Sequence, residues 1–190
     1  MKKVWIYLLM VTALVIGAAF VACGGDEEKD AADATKQPAT EQGGGEELDL
    51  AEYLQQFEAI RSASKARFQT LREEVPSGVG QEVQATRDYQ DSLNSATGDL
   101  LADLKALRPP AEARDAHDEL IAALTEWLAL LEGLSDRLAE IESPEELEAL
   151  NTEVEGDQSL VALEDRVVTA CLQLQAIADG NGIQVDLACE

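Results

Sequence analysis

The chain is poor in positive charge, and poorer still in the side chains that hold metals and haem. Only 14 Lys and Arg stand against 38 Asp and Glu in 190 residues, a formal net charge of −24. Such a surface repels phosphate backbones and anionic lipid headgroups, so no nucleic-acid partner is expected. There is one histidine, His117, and the two methionines, Met1 and Met10, both fall at the start of the chain. A di-iron bundle site needs two ExxH motifs, which one histidine cannot supply. The CxxCH attachment of a c-type haem is absent, and a b-type haem or a methionine copper site lacks its ligands. Neither a phosphate-binding glycine loop nor a Ser-His-Asp set is indicated. Asp179-Gly180-Asn181-Gly182 has the look of a calcium loop, but the EF-hand spacing then needs an oxygen where Ile183 stands. These absences point away from an enzyme, a cofactor or a resident metal. The acidity itself reads as solvated helix faces, with cation collection or a basic partner as the alternatives.

Strand-like alternation is lacking too, and β-branched residues are sparse. From Leu48 onward, leucine and alanine recur at helical spacing. Leu50, Tyr53, Leu54, Phe57, Ile60, Ser64, Phe68, Leu71 and Val75 form one stripe, broken by Pro76-Ser77-Gly78-Val79-Gly80. Val83, Tyr89, Leu93, Ala96, Leu100, Leu104 and Leu107 form a second, ended by Pro109-Pro110 because a residue before proline disfavours the helical region. Pro110 suits the first position of the next helix. A third stripe repeats every seven residues through Leu124, Leu131 and Leu138, with Leu120, Trp127, Leu134 and Ile141 between them, the pattern of a bundle seam. Ser143-Pro144-Glu145-Glu146 is a capping-box signature. The fourth stripe holds Leu147, Leu150, Val154, Val161, Val168, Cys171, Leu174 and Ile177, and ends at Gly180-Asn181-Gly182. Gly156-Asp157 interrupts it.

Four segments of about 29 to 36 residues would each span roughly 43 to 54 Å as helix. Matched lengths and short connections favour an all-α, up-down-up-down four-helix bundle over residues 48–190, or five helices if the last segment splits at Gly156. Trp127, Tyr53, Phe57, Phe68 and Tyr89 fall on or near the stripes and read as core.

The first 47 residues have a different composition. Lys2 and Lys3 precede an uncharged stretch, Val4 to Ala22, and then Cys23. This layout is that of a secretory signal. Phe20-Val21-Ala22-Cys23, with Phe where Leu is usual, resembles the lipobox of bacterial lipoproteins. The resemblance implies that 1–22 is removed, that Cys23 is acylated, and that the mature chain is lipid-anchored to a cell membrane or outer membrane with its domain outside the cytoplasm. Loss of Lys2 and Lys3 takes the charge from −24 to −26. The competing reading is an uncleaved span, for which about 19 apolar residues suffice. Small Ala22 and Cys23 sit where processing needs them and favour the lipoprotein. Residues 24–47 contain no aromatic residue and no Leu, Ile or Val. They cannot bury enough surface to offset ordering entropy and read, with Cys23, as an acidic tether.

Lipidation of Cys23 leaves an even pair, Cys171 and Cys189, in a compartment where disulfides persist. Ile183, Val185 and Leu187 alternate as an extended segment packed on one face would. From Gly182 to Cys189 the chain reaches at most about 23 Å, enough to double back some 12 Å to Cys171. A redox or metal role would call for CxxC or a nearby histidine, so a structural disulfide is expected.

His117 lies seven residues before Leu124 and so faces inward beside the Pro109-Pro110 turn. Its plain reading is a buried histidine bonded to a carboxylate or carbonyl. The sharper one is a metal ligand or general base in an inter-helix ligand site, with Asp115, Asp118 or Glu119 as partner. Leu104 to Leu120 also resembles a helical hairpin of uncharacterised secreted bacterial proteins, which implies a fold element and no activity. The expected function is that of a non-enzymatic interaction module of the envelope, with membrane and envelope-protein partners. Cation or small-ligand binding, at the acidic surface or near His117, is the alternative.

Overall fold

The structure, a computed structural model, describes residues 48–189. The signal-like segment, Cys23 and the tether lie outside the described residues. Within them the chain forms five helices and no strand: α1 Leu50–Glu73, α2 Val83–Ala106, α3 Ala111–Glu140, α4 Pro144–Glu155 and α5 Gln158–Gly180. Four long rods, α1, α2, α3 and α5, pack in that order around one core, with α3 lying against both α2 and α5. The helices are shorter than the sequence segments because the turns consume residues. Residues 74–82, for example, form a compact loop in which Gly78 takes φ +95°, a region that disfavours side chains.

Local chemistry accounts for the boundaries. Asp49 caps α1 by accepting from the Glu52 N–H at 2.8 Å. Pro110 is the N-cap of α3 rather than its first residue. Ser143 and Glu146 close a reciprocal capping box at the start of α4. Arg87 reaches across from α2 to the end of α3. Its guanidinium donates to the carbonyls of Leu138, Ala139 and Ile141 at 2.8, 2.9 and 2.7 Å, satisfying acceptors that the helix itself leaves open. At the end of α5, Gly182 has φ +67°. The N–H groups of Gly182 and Ile183 return to the carbonyls of Asp179 and Ala178, the Schellman stop expected of Gly180-Asn181-Gly182.

The fourth segment does divide. Gly156 stays in the right-handed helical region, while Asp157 turns extended and caps α5 through the Ser159 N–H. Asp157, an N-cap residue, therefore makes the break, and the glycine merely permits it. The consequence is a divided interior. The main core runs from Tyr53 and Phe57 through Leu104 and Leu120 to Leu174 and Leu187. A small cluster of Leu138, Ile141, Leu147 and Leu150 holds α4 to the end of α3. A third, Trp127, Leu131 and Leu163, stands apart from both. Val161, placed on the apolar stripe by the sequence, is 53% exposed because α5 turns Leu160 and Leu163 toward Trp127 and Leu131 of α3 instead.

Cys171 and Cys189 are joined, with their Cα atoms 5.4 Å apart. The tail does more than close a loop. Leu187 is fully buried, and residues 186–188 bond to α1 as well as to α5. The Arg61 guanidinium donates to the carbonyls of Leu187 and Ala188, Glu58 accepts from the Asp186 N–H, and the Gln175 amide brackets Val185 and Leu187. The tail is thus a wedge between α1 and α5. Arg61 itself is buried, which lowers its affinity for the proton relative to a free guanidinium.

Candidate functional site

Concavities open at two different places along α3. The larger, about 580 Å³, opens where the fourth rod is broken. Trp127, Leu130, Leu131 and Leu134 of α3 form one wall, and Val154, Leu160 and Val161 of α4 and α5 form the other. Gln90 and Leu93 of α2 also line it. Gln90 is buried and donates to the Leu131 carbonyl and to Asn94. The walls are apolar, and Leu130 and Val161 leave 37% and 53% of their surface open to water. Charge is confined to Arg137, Glu155 and Asp157. Arg137 is paired with Glu153, so the two lining carboxylates dominate the mouth.

Gly133 of α3 also lines this cleft. A side chain built there would meet nothing within 4 Å. The sequence places Trp127 in the core. The structure agrees that it is buried, yet it packs only with the small third cluster and forms part of the cleft wall. The signals that could have located the cleft were Gly133 and the interruption at Gly156-Asp157 on facing segments.

The second concavity, about 380 Å³, lies where the sequence places the ligand site, at the turn between α2 and α3. Lys105, Leu107, Arg108, Pro109, Arg114, His117, Asp118 and Ile121 line it. His117 and Asp118 are brought together here, whereas Asp115 is exposed and is not among the lining residues. His117 is buried, and its partner is neither a carboxylate nor a carbonyl. Nδ1 meets the Tyr53 hydroxyl at 2.9 Å, a bond that joins α3 to α1. Sequence reasoning missed this partner because Tyr53 lies 64 residues away and its own position on a stripe is explained by packing.

Burial lowers the His117 pKa from its ordinary value, and the nearby Asp118 carboxylate opposes that shift. The same burial, with the same carboxylate adding to it, pushes the Tyr53 phenol far above its ordinary value. Both groups are therefore neutral near pH 7. Among the described residues, no group of three or more His, Cys, Asp or Glu is placed to hold a metal ion. None of their helices is long and apolar enough to cross a membrane. No family model matches the chain, and neither a curated protein nor a solved structure is significantly similar to it.

Proposed function

We propose that the chain is a lipid-anchored envelope protein that works by binding, and that its occupant is a small molecule with an apolar body and a positive or hydrogen-bond-donating end. The observation that carries this reading is the cleft between α3 and the α4–α5 break. Its volume of about 580 Å³ falls in the range of small-molecule sites, as do its apolar walls with a few polar groups at the edge. The lining carboxylates of Glu155 and Asp157, on a strongly acidic chain, favour a cation over an anion. A protein partner fits less well. The large hydrophobic residues exposed among the described residues are Leu130, Val161 and Leu172. That is little apolar surface beside the roughly 800 Å² per partner of a standard interface.

The anchor follows from Cys23 and the lipobox resemblance. Intact mass of the membrane-extracted chain tests it: a mass beginning at Cys23 with acyl chains supports the anchor, and an uncut, unacylated chain refutes it. The binding reading is tested separately on a chain that begins at Cys23, where Trp127 is the sole tryptophan. A neutral apolar fluorophore such as N-phenyl-1-naphthylamine should bind saturably and accept energy from Trp127. Gly133→Leu, whose Cβ meets open space and whose branched end would occupy the cleft, should abolish that transfer. Equal binding to the two proteins would remove the cleft as the site.

A further inference from the structure

The hollow beside His117 has the opposite chemistry to the cleft. Five cations of the described residues are spent on structure. Arg67, Arg137 and Arg166 pair with carboxylates, and Arg61 and Arg87 cap carbonyls. Lys105 and Arg108, with Arg114 beside them, line one hollow together with the single carboxylate of Asp118. Neither Lys105 nor Arg108 forms an ion pair with another described residue. On a chain of net charge −24, this is a local reversal of sign.

The floor supplies a directed donor. Tyr53 is fully buried, and His117 is its hydroxyl's only partner among the described residues. A buried hydroxyl left without an acceptor is costly, so the Tyr53 O–H donates to Nδ1. Neutral imidazole then carries its proton on Nε2. His117 is 4% exposed and lines the hollow, and Nε2 has no protein partner among the described residues. Tyr53 is thus a positioning residue that fixes which nitrogen bears hydrogen. The start of α3 adds to the effect: Pro110 offers its first turn no side-chain cap, and the unpaired N–H groups there carry partial positive charge.

We propose that the hollow formed by Lys105, Arg108, Arg114 and His117 binds a phosphate-class oxyanion, with the His117 Nε2–H as the donor at its floor. Two sources carry that chemistry: a soluble phosphate compound, or the headgroup of an anionic phospholipid. The second source has a geometric basis. The Leu48 N–H bonds to the Arg108 carbonyl, so the tether joins the domain at the rim of this hollow. A domain held by Cys23 through this tether would have the hollow within reach of its membrane, with no orientation imposed. The site itself does not depend on the anchor or on the cleft.

The test uses the single histidine as its own reporter. In the purified full chain labelled with ¹⁵N, the imidazole resonances belong to His117 without ambiguity. Inorganic phosphate and dihexanoyl phosphatidylglycerol are titrated separately, with dihexanoyl phosphatidylcholine as the zwitterionic control. The expected result is a saturable shift at Nε2. Lys105→Gln with Arg108→Gln should weaken it about tenfold or more, since two charge-assisted contacts are lost. Both side chains are exposed, and an unchanged amide spectrum would show the fold intact. Saturation by phosphate assigns a soluble ligand, whereas tighter binding of phosphatidylglycerol than of phosphate assigns the headgroup. In Tyr53→Phe the ¹⁵N shifts should report a mixed tautomer and weaker binding, a signature that packing alone would not give. No saturable shift with either anion, or one undiminished in the double variant, overturns the proposal.

Discussion

Reducing the Cys171–Cys189 bond tests how the C-terminal wedge is held. The cross-link closes a loop with a sequence separation of 18. On the chain-entropy relation a loop of that size restricts the unfolded state by about 3 kcal/mol at 25 °C. That is the full effect if the tail stays docked after reduction, and the packing argues that it does. Leu187 is fully buried, Arg61 and Gln175 hold the backbone of 185–188, and Glu58 fixes Asp186. Losing the tail as well would forfeit about 2 kcal/mol more for Leu187. It would also strand the Arg61 guanidinium without its carbonyls. The two cases separate in urea titrations of the oxidised chain, the reduced chain and Cys189→Ser. A docked tail gives a lower midpoint with a slope no smaller than that of the oxidised chain, and a melting temperature lower by about 10 °C for a domain of this size. A smaller slope would show that the tail leaves, because the folded state would then already expose its surface. A loss under about 1 kcal/mol would refute the entropic reasoning.

Other substitutions probe single elements. Arg87→Met should cost about 2 to 3 kcal/mol in urea unfolding, because three carbonyls at the end of α3 lose a charged donor. Arg87→Lys should recover only part of this, since an ammonium cannot span the same fork. The Ser64 hydroxyl is buried without a hydrogen-bond partner, so Ser64→Ala should be neutral or stabilising by up to about 1 kcal/mol in the same assay. Gly133→Ala should raise the melting temperature, as alanine gains about 1 kcal/mol over glycine in a helix and meets open space here. Acid should destabilise the fold through His117. Its folded pKa is lowered, so from about pH 6.5 downward the unfolded chain binds a proton that the folded chain refuses. Stability then falls with pH by at most about 1.4 kcal/mol per unit from this group until the folded imidazole itself titrates. His117→Gln should remove that component of the slope, and an unchanged slope would place the acid sensitivity elsewhere.

The fold was legible because its determinants are local. The seam Leu124, Leu131, Leu138 is buried as its period implies, the capping box forms at Ser143 and Glu146, and the left-handed stop falls at Gly182. The pairing of Cys171 with Cys189 followed from count and reach. What escaped was whatever depends on two distant elements meeting. Tyr53 and His117 each had a sufficient explanation on its own helix, so nothing in either stripe revealed their bond. The basic hollow was hidden for the same reason. Lys105, Arg108 and Arg114 look like ordinary solvated charges until the Pro109-Pro110 turn folds them around one space. Val161 failed for a different reason: period analysis carries a stripe across an interruption, while a helix restarted at Asp157 need not keep its phase.

That loss of phase is also what joins the fold to its proposed use. An unbroken fourth helix would carry its stripe straight along α3, and Leu130 and Leu134 would be covered as Trp127 and Leu131 already are. Asp157 instead spends one extended residue, α4 stays on the end of α3, and α5 begins displaced. The apolar faces on the two sides of the break then cannot meet, and the cleft is the space between them. Leaving Leu130 and Val161 in water costs stability that a continuous helix would have kept. A helix-forming replacement of the break therefore makes an opposed pair of predictions. Gly156→Ala with Asp157→Ala removes the cap and favours continuity, and should raise stability while reducing uptake of an apolar probe. If the double variant lost stability and kept its cleft, the break would be imposed by packing of α4 on α3, and the capping residue would be incidental.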